Sequence, residues 1–208
     1  METGVSLDEA IQISLTKPLS RRTERVSIEE ARGRVTAVPL ISKVDDPGFD
    51  NSAMDGFAVR VSDCEEEGVR LEIVGTSQAG GERPPEIGAG QACRIMTGAT
   101  LPAGADAIVM IEDTEIDGEH VVINGPARTG FIRRKAENLS IGQEALPSGS
   151  LLSSASIALA GTMGHGEIEV ITRPRIAILS TGDELIQPGQ ELSHGQIYES
   201  NSHALASL

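Results

Sequence analysis

Aromatic side chains are scarce in this sequence. Of its 208 residues 2% are aromatic, and there is no Trp. A hydrophobic core must therefore be built from Val, Ile, Leu and Ala. The hydrophobic fraction of 39% is typical of globular proteins, and the length suits one large domain or two small ones.

Cysteines, export signals and long apolar runs are also rare or missing. Cys64 and Cys93 are the only cysteines, and no C-x-x-C spacing occurs, so the sequence predicts no disulfide framework. The first residues, METGVSLDEAIQ, lack the basic and apolar regions of a secretory signal. No run approaches the roughly 18 apolar residues that span a bilayer. We therefore expect a reduced, cytoplasmic protein without a membrane partner.

Basic residues are outnumbered. There are 17 Lys and Arg against 31 Asp and Glu, which gives a net charge of −14. Such a surface argues against binding to a nucleic acid. It is compatible with metal binding, although solubility alone explains it equally well.

The hydrophobic spacing predicts helices at the start and short strands in the middle. Residues 6–15 have helical spacing, with Ser6 as N-cap and Glu9 three residues later, and a second helix is predicted from Ser27 towards Gly33. Residues 57–123 contain several short strand patterns separated by Gly and Pro, which predicts an all-β module. Residues 126–150 are typical of a linker.

The last quarter of the sequence predicts the start of an α/β domain. A helix capped by Ser153 or Ser154 precedes a strand at EIEVITR, and RIAILSTGDEL is typical of a buried parallel strand that ends in a polar turn. A short helix capped by Asn201 follows. A crossover unit takes about 30 residues, so we expect the chain to end inside this domain. Residues 173–208 are therefore expected to be poorly ordered.

Two stretches in the middle carry candidate chemistry. FDNSAMDG places Asp55 before Gly56, which predicts a carboxylate at a glycine-assisted turn that could hold a hard cation. An ordinary loop whose polar side chains bond their own backbone is the favoured alternative. In RIMTGATLPAGAD, backbone N–H groups beside Thr97 could receive phosphate oxygens, unless the segment is only a long hairpin connection.

Two later stretches are candidates for ligand binding. LSTGDEL puts Ser180, Thr181, Gly182 and Glu184 at the carboxyl end of the predicted parallel strand, where open α/β sheets bind ligands. The basic run at residues 133–135 could guide an anionic substrate or could be a solvated face.

Four stretches together resemble one known family. DPGFDNSAMDGFAVR, RIMTGATLPAGADAIVM, RRKAENLSIG and the segment from ILSTGDEL to GQIYESN are similar to the MoeA family, the molybdopterin molybdenumtransferases related to the gephyrin E domain. The resemblance implies an α+β multi-domain fold. Residues 1–44 with 126–172 would form an N-terminal helical and linker domain, residues 45–125 an inserted β-rich domain, and residues 173–208 the truncated start of a MogA-like α/β domain.

The resemblance also implies an activity and a set of site residues. Members of the family are homodimers that place molybdate on adenylylated molybdopterin with release of AMP, and they require Mg²⁺. The catalytic residues would be Asp55, Thr97 and Glu184, with Asp55 and Glu184 of opposite subunits as metal ligands. Ser180, Thr181, Gly182 and Asn138 would bind the cofactor substrate. A MogA-like adenylyltransferase is an expected partner.

Two departures from the family pattern affect these expectations. Many members have GEDI where this sequence has AENL, so Ala136 replaces Gly and Asn138 replaces an acid. An uncharged Asn138 would hold a cation less strongly. Because later segments of the family are missing, activity is expected only of the full-length protein. The alternative is a non-catalytic remnant that dimerises or binds a partner, and an unrelated carboxylate metal-binding module is a third option.

Overall fold

The computed structural model describes residues 4–16 and 22–208, which divide into two units. One unit spans residues 23–171, and the other contains residues 1–22 with residues 172–208. The chain is mixed α+β, as predicted, and has more sheet than helix. None of the helices in the described part of the chain has the length and apolarity that crossing a bilayer requires.

The helices are few and short. They are α1 Leu7–Thr16, α2 Ser154–Thr162 and α3 Asn201–Ala206. At the start of α1 the Ser6 N–H donates to Glu9 Oε2 at 2.8 Å, and the Glu9 N–H donates to Ser6 Oγ at 3.3 Å. This reciprocal pair is the capping box that the sequence predicts. The predicted cap of α2 is also confirmed, because Ser153 accepts a bond from the Ser156 N–H.

The described residues contain fourteen strands, which outweigh the helices in the regular secondary structure. They are β1 Thr23–Ser27, β2 Leu40–Ile41, β3 Asn51–Ser52, β4 Gly56–Val59, β5 Val69–Ser77, β6 Gln91–Ile95, β7 Ala107–Met110, β8 Thr114–Asp117, β9 His120–Ile123, β10 Ile132–Arg133, β11 Glu144–Leu146, β12 Glu167–Ile171, β13 Leu185–Ile186 and β14 Ile197–Tyr198.

A six-stranded sheet lies at the centre of the larger unit. Its strand order is β7-β4-β6-β5-β9-β8, and only the β5–β6 pair is parallel. The short strands predicted between residues 57 and 123 are therefore confirmed. The segment DAIVMIEDTEI has the pattern of one continuous strand. It forms two strands instead, because a 3₁₀ turn at Ile111–Asp113 separates β7 from β8.

Strand β4 of this sheet is buried on both faces. Phe57 and Val59 of β4 pack into one cluster with Leu71 and Val121, whereas Ala58 packs into a second cluster. Successive side chains of a strand point to opposite faces, so the two clusters lie on opposite sides of β4. Phe57 is the one aromatic side chain among the fully buried residues of the described chain, so the core is aliphatic as predicted.

Three small sheets join distant parts of the larger unit. β1 pairs with β12, β2 with β11 and β3 with β10, all antiparallel. A third cluster, formed mainly by Leu40, Leu152, Ile168 and Val170, packs beneath the first two of these pairs. Residues from the two ends of this unit therefore fold together around a core of their own.

The predicted helix beginning at Ser27 is wrong. Ser27 ends β1, its side chain makes no cap bond, and only a 3₁₀ turn at Ile28–Glu30 follows. Ser27 is paired with Glu167 of β12, and the Ile28 N–H donates to Gly166 O at 3.0 Å. Pairing with a strand about 140 residues away thus overrides the local helical propensity.

The predicted parallel strand at residues 175–181 is also wrong. These residues form neither helix nor strand, and the side chains of Ile176 and Leu179 are 80% and 87% exposed. A parallel strand requires a hydrogen-bonded neighbour, and the described residues of its unit supply none. The one parallel pair of this unit is the two-residue match of β13 with β14, which is followed by α3.

Ala136 has a left-handed backbone with φ of 60°, and it is the one non-glycine residue of the described chain with positive φ. This conformation costs an L-residue roughly 1–2 kcal/mol. Ala136→Gly should therefore raise the free energy of unfolding by about 1 kcal/mol, measured by denaturant titration. Ala103→Gly is the matched control, since this exposed alanine lacks a positive φ and should lose stability. Equal effects of both changes would contradict strain at Ala136.

Candidate functional site

Strand β3 joins three segments that are far apart in the sequence. The Ser52 N–H donates to Ala99 O at 3.1 Å, and the Gly98 N–H donates to Ser52 O at 2.8 Å. β3 also pairs with β10, and the Ala53 N–H donates to Phe131 O at 2.8 Å. The segment that leads to Asp55 is thus fixed from two directions.

A short turn carries the backbone from β3 to Asp55. Ser52 Oγ donates to Met54 O at 2.6 Å and accepts from the Met54 N–H at 3.2 Å. Gly56 then begins β4 against a neighbouring strand, where an added Cβ would lie 1.9 Å from Val109 O. The sequence predicts this glycine for a tight turn, but the structure requires it because the two backbones approach closely.

Asp55 and Thr97 are brought into direct contact, as the resemblance implies for two residues of one site. The Thr97 N–H donates to Asp55 Oδ1 at 2.7 Å, and Thr97 Oγ1 donates to the same oxygen at 3.0 Å. Both bonds favour the charged form, so they hold the pKa of Asp55 below its usual value, with the positive charge of Arg94 adding to the effect. Asp55 is therefore ionised at neutral pH.

The free oxygen of Asp55 suits a divalent cation. Oδ2 makes no hydrogen bond with the described residues, and the side chain is exposed. Mg²⁺ commonly binds through one or two carboxylates while it keeps several waters and contacts substrate phosphates. Within residues 4–16 and 22–208 no three His, Cys, Asp or Glu side chains cluster around a metal position. Asp55 thus fits as a single ligand and not as part of an all-protein cage.

The loop after β6 is not a cradle of free N–H groups. The N–H groups of Thr97, Gly98 and Ala99 donate to Asp55 Oδ1, Ser52 O and Met96 O respectively. The prediction that this loop receives phosphate oxygens through its backbone is wrong, because folding uses these donors internally. The loop is not a hairpin connection either, since β4 lies between β6 and β7.

The basic run is largely neutralised by neighbouring acids. Arg134 and Lys135 form ion pairs with Asp50 and Asp45 at 2.7 and 3.2 Å. The Lys135 N–H also donates to Asp50 Oδ1 at 2.7 Å, and this bond and Arg134 lower the pKa of Asp50. Arg133 is exposed and makes no ion pair with the described residues. At most one of the three cations is thus free to guide an anion.

The side chain and backbone of Asn138 are both bonded to Asp46. Its Nδ2 donates to Asp46 Oδ2 at 3.1 Å, and its backbone N–H donates to Asp46 O at 3.0 Å. An aspartate at this position would place two carboxylates side by side. The predicted cofactor-binding role of Asn138 stays a prediction.

Of the predicted residues of the other unit, Ser180 is bonded to the buried acid Glu199. Ser180 Oγ donates to Glu199 Oε1 at 2.9 Å, and Glu199 also accepts from Ser202. The bonds from the Ser202 side chain and backbone lower the pKa of Glu199 to about 2. Glu184, Thr181 and Gly182 are exposed, and the Glu184 carboxylate lies beside Gly182. The pairing of Glu184 with Asp55, which belongs to the larger unit, stays a prediction.

The family of the chain follows from comparison with known proteins. The family described as "MoeA N-terminal region (domain I and II)" matches residues 5–164. The chain belongs to the MoeA family. It is 42% identical over 191 residues to a molybdopterin molybdenumtransferase from Nostoc sp., covering 89% of this chain and 44% of the relative. A molybdopterin molybdenumtransferase from Haemophilus influenzae is 38% identical over 200 residues, with 95% and 49% covered.

The fold also matches a solved MoeA structure. The molybdopterin biosynthesis MoeA protein of Pyrococcus horikoshii has a TM-score of 0.83 and 35% sequence identity, covering 99% of this chain and 54% of that protein. The chain therefore spans about half the length of the MoeA relatives that it matches.

Sequence reasoning missed two residues that contribute to these MoeA segments. Glu199 is only 4% exposed and anchors both Ser180 and the start of α3. Arg94 lies three residues before Thr97, and its charge acts on Asp55. The buried acid in IYESNS, directly before a helix, is a signal that could have identified Glu199.

Removal of the Thr97 hydroxyl should raise the pKa of Asp55. Thr97→Val deletes one of two bonds to Oδ1, so the pKa should move towards its ordinary value and stay below it, because the backbone bond remains. Titration of the Asp55 carboxyl carbon by NMR measures this change. Thr97→Ser is the control and should leave the pKa unchanged. An unchanged pKa in Thr97→Val would show that the side-chain bond is unimportant.

Acid should loosen the segment around Glu199. The folded pKa of Glu199, about 2, lies below its ordinary value of 4.5, so its contribution to stability is complete above pH 4.5. That contribution is lost as pH falls from 4.5 towards 2. The neighbouring Tyr198 is the sole tyrosine, and there is no Trp, so fluorescence reports this change locally. Glu199→Gln should abolish the transition, and an identical transition in that variant would refute the assignment.

Proposed function

We propose that the chain supplies the Asp55–Thr97 half of a Mg²⁺-dependent site that inserts molybdate into adenylylated molybdopterin with release of AMP. The curated relatives are named molybdopterin molybdenumtransferases, which supports a role in molybdenum cofactor biosynthesis. Because the chain spans about half the length of these relatives, the complete reaction belongs to a full-length protein.

One observation carries this proposal. Asp55 is an exposed, ionised carboxylate with one oxygen fixed by two donors of Thr97 and the other oxygen free. Because Thr97 fixes Oδ1, the direction of Oδ2 is also fixed. The Asp55 side chain therefore loses little conformational entropy when a cation binds. In this role Thr97 positions the metal ligand, because both of its donors are already directed to Asp55.

The remaining residues act around that oxygen. A bound Mg²⁺ would neutralise negative charge on the leaving AMP and polarise the phosphorus. Glu184 of the partner subunit would supply a second carboxylate, and Ser180, Thr181 and Gly182 would contact the substrate beside it. Asn138 would contribute hydrogen bonds without charge. The homodimer, a MogA-like domain at residues 173–208 and contact with a MogA-like adenylyltransferase belong to the same proposal, as does a cytoplasmic location.

A partner-binding role is the second candidate. Helix α1 buries no residue among those described, and its apolar side chains Leu7, Ile11 and Leu15 are 77%, 45% and 72% exposed. An apolar stripe of this kind is typical of a helix that packs against another surface. A wild-type full-length protein that lacks molybdenumtransferase activity would favour this second role.

Asp55→Asn should abolish Mg²⁺-dependent release of AMP by the full-length protein. The change keeps the shape of the side chain and removes the charge that holds the cation. AMP is measured by chromatography after single turnovers on adenylylated molybdopterin, at several Mg²⁺ concentrations. Asp117→Asn is the control, because Asp117 is an exposed acid of the same sheet that pairs with Arg70.

The two variants separate a role in the site from a general effect of charge. Asp117→Asn should retain wild-type release at every Mg²⁺ concentration. Unchanged release in Asp55→Asn would remove Asp55 from the mechanism. Equal losses in both variants would also contradict the proposal, because they would show a general requirement for negative charge.

A further inference from the structure

Arg94 lies close to the Asp55 site, at one end of the β4–β6 pair. It is paired with Phe57 across the β4–β6 ladder, so the two side chains point to the same face. Ala92, two residues earlier on β6, is buried in the same cluster as Phe57, which confirms this face. Asp55 precedes Phe57 by two residues. Because Gly56 pairs with Ile95, Asp55 and Arg94 lie at the same end of the β4–β6 pair, and Thr97 follows two residues after β6.

The guanidinium of Arg94 is uncommitted. Its side chain is exposed and forms no ion pair with any carboxylate in residues 4–16 and 22–208. By contrast, Arg34, Arg60, Arg70, Arg134 and Lys135 each pair with an acid. What distinguishes Arg94 is its position, because its positive charge acts on the Asp55 carboxylate and helps to lower the pKa of Asp55.

We propose that Arg94 binds a tetrahedral oxyanion of the substrate beside the cation held by Asp55. This inference rests on the proposed function and names a residue that receives the anion. A planar guanidinium can donate two parallel N–H bonds to two oxygens of a phosphate or a molybdate. Asp55 alone would repel such an anion, whereas a cation on one side and Arg94 on the other complement it.

The two sources of the oxyanion have the same chemistry. A phosphate of the nucleotide and a molybdate ion are both tetrahedral and negatively charged, so the experiment uses both as probes. AMP and sodium molybdate are titrated separately into the 208-residue chain, with and without Mg²⁺. The NMR shifts of the Thr97 and Gly98 amides report binding at this position, and they detect millimolar affinities.

Three variants define the contribution of Arg94. Arg94→Gln should weaken binding of the preferred anion at least about tenfold, as expected for loss of charged hydrogen bonds. Arg94→Lys should lose less, because it keeps the charge and loses the planar pair of donors. Arg83→Gln is the control, since Arg83 is an exposed arginine of the loop between β5 and β6. It should bind like the wild type.

Titration with Mg²⁺ alone separates this inference from the proposed function. Mg²⁺ alone should shift the Thr97 amide in the wild type and also in Arg94→Gln, where loss of a nearby positive charge favours the cation. If it does so but Arg94→Gln binds both anions like the wild type, the role of Arg94 is refuted and the Asp55 site stands. If Mg²⁺ alone shifts nothing near Thr97, the proposed cation site itself fails. Anion binding that shifts neither Thr97 nor Gly98 also overturns the inference.

Discussion

The structure of the candidate site depends on hydrogen bonding to both sides of β3. This two-residue strand is bonded to the Thr97 loop on one side and to β10 on the other. Ala99 and Ile132 from these flanking segments are buried together, so an apolar cluster supports the same arrangement. Asp55, Thr97 and the basic run lie far apart in the sequence. The bonds of β3 bring their segments together in space.

The junction determines which groups remain free for chemistry. It uses the N–H groups of the Thr97 loop internally, and Asp50 and Asp45 neutralise two of the three cations of the basic run. Next to each other at this junction, one oxygen of Asp55 and the guanidinium of Arg94 remain exposed and unbonded to the described residues. These two groups lie at the same end of the β4–β6 pair. The carboxylate oxygen suits a metal ion and the guanidinium suits an oxyanion, so together they match a metal–oxyanion pair better than either group alone.

Helix caps and short strands could be predicted from the sequence because a few neighbouring residues determine them. The capping box of α1, the cap of α2 and the alternating strands of the central sheet follow from short patterns. The structure at Ser27 could not be predicted in this way, because β12 decides it from the far end of the unit. The reason for Gly56 is likewise hidden, since the contact with Val109 arises only when two strands pair. The family resemblance assigns Asp55 and Thr97 to one site, but their direct contact is visible only in the structure.

The central claim is that Asp55 Oδ2 binds a divalent cation whose position is set by Thr97. Anomalous diffraction from Mn²⁺ in crystals of the full-length protein tests this claim most directly. We predict an anomalous peak at Asp55 Oδ2, with both Thr97 bonds to Oδ1 retained, and loss of the peak in Asp55→Asn. A peak at another acidic cluster, such as the run at residues 65–67, with Asp55 bonded only to Thr97, would contradict it.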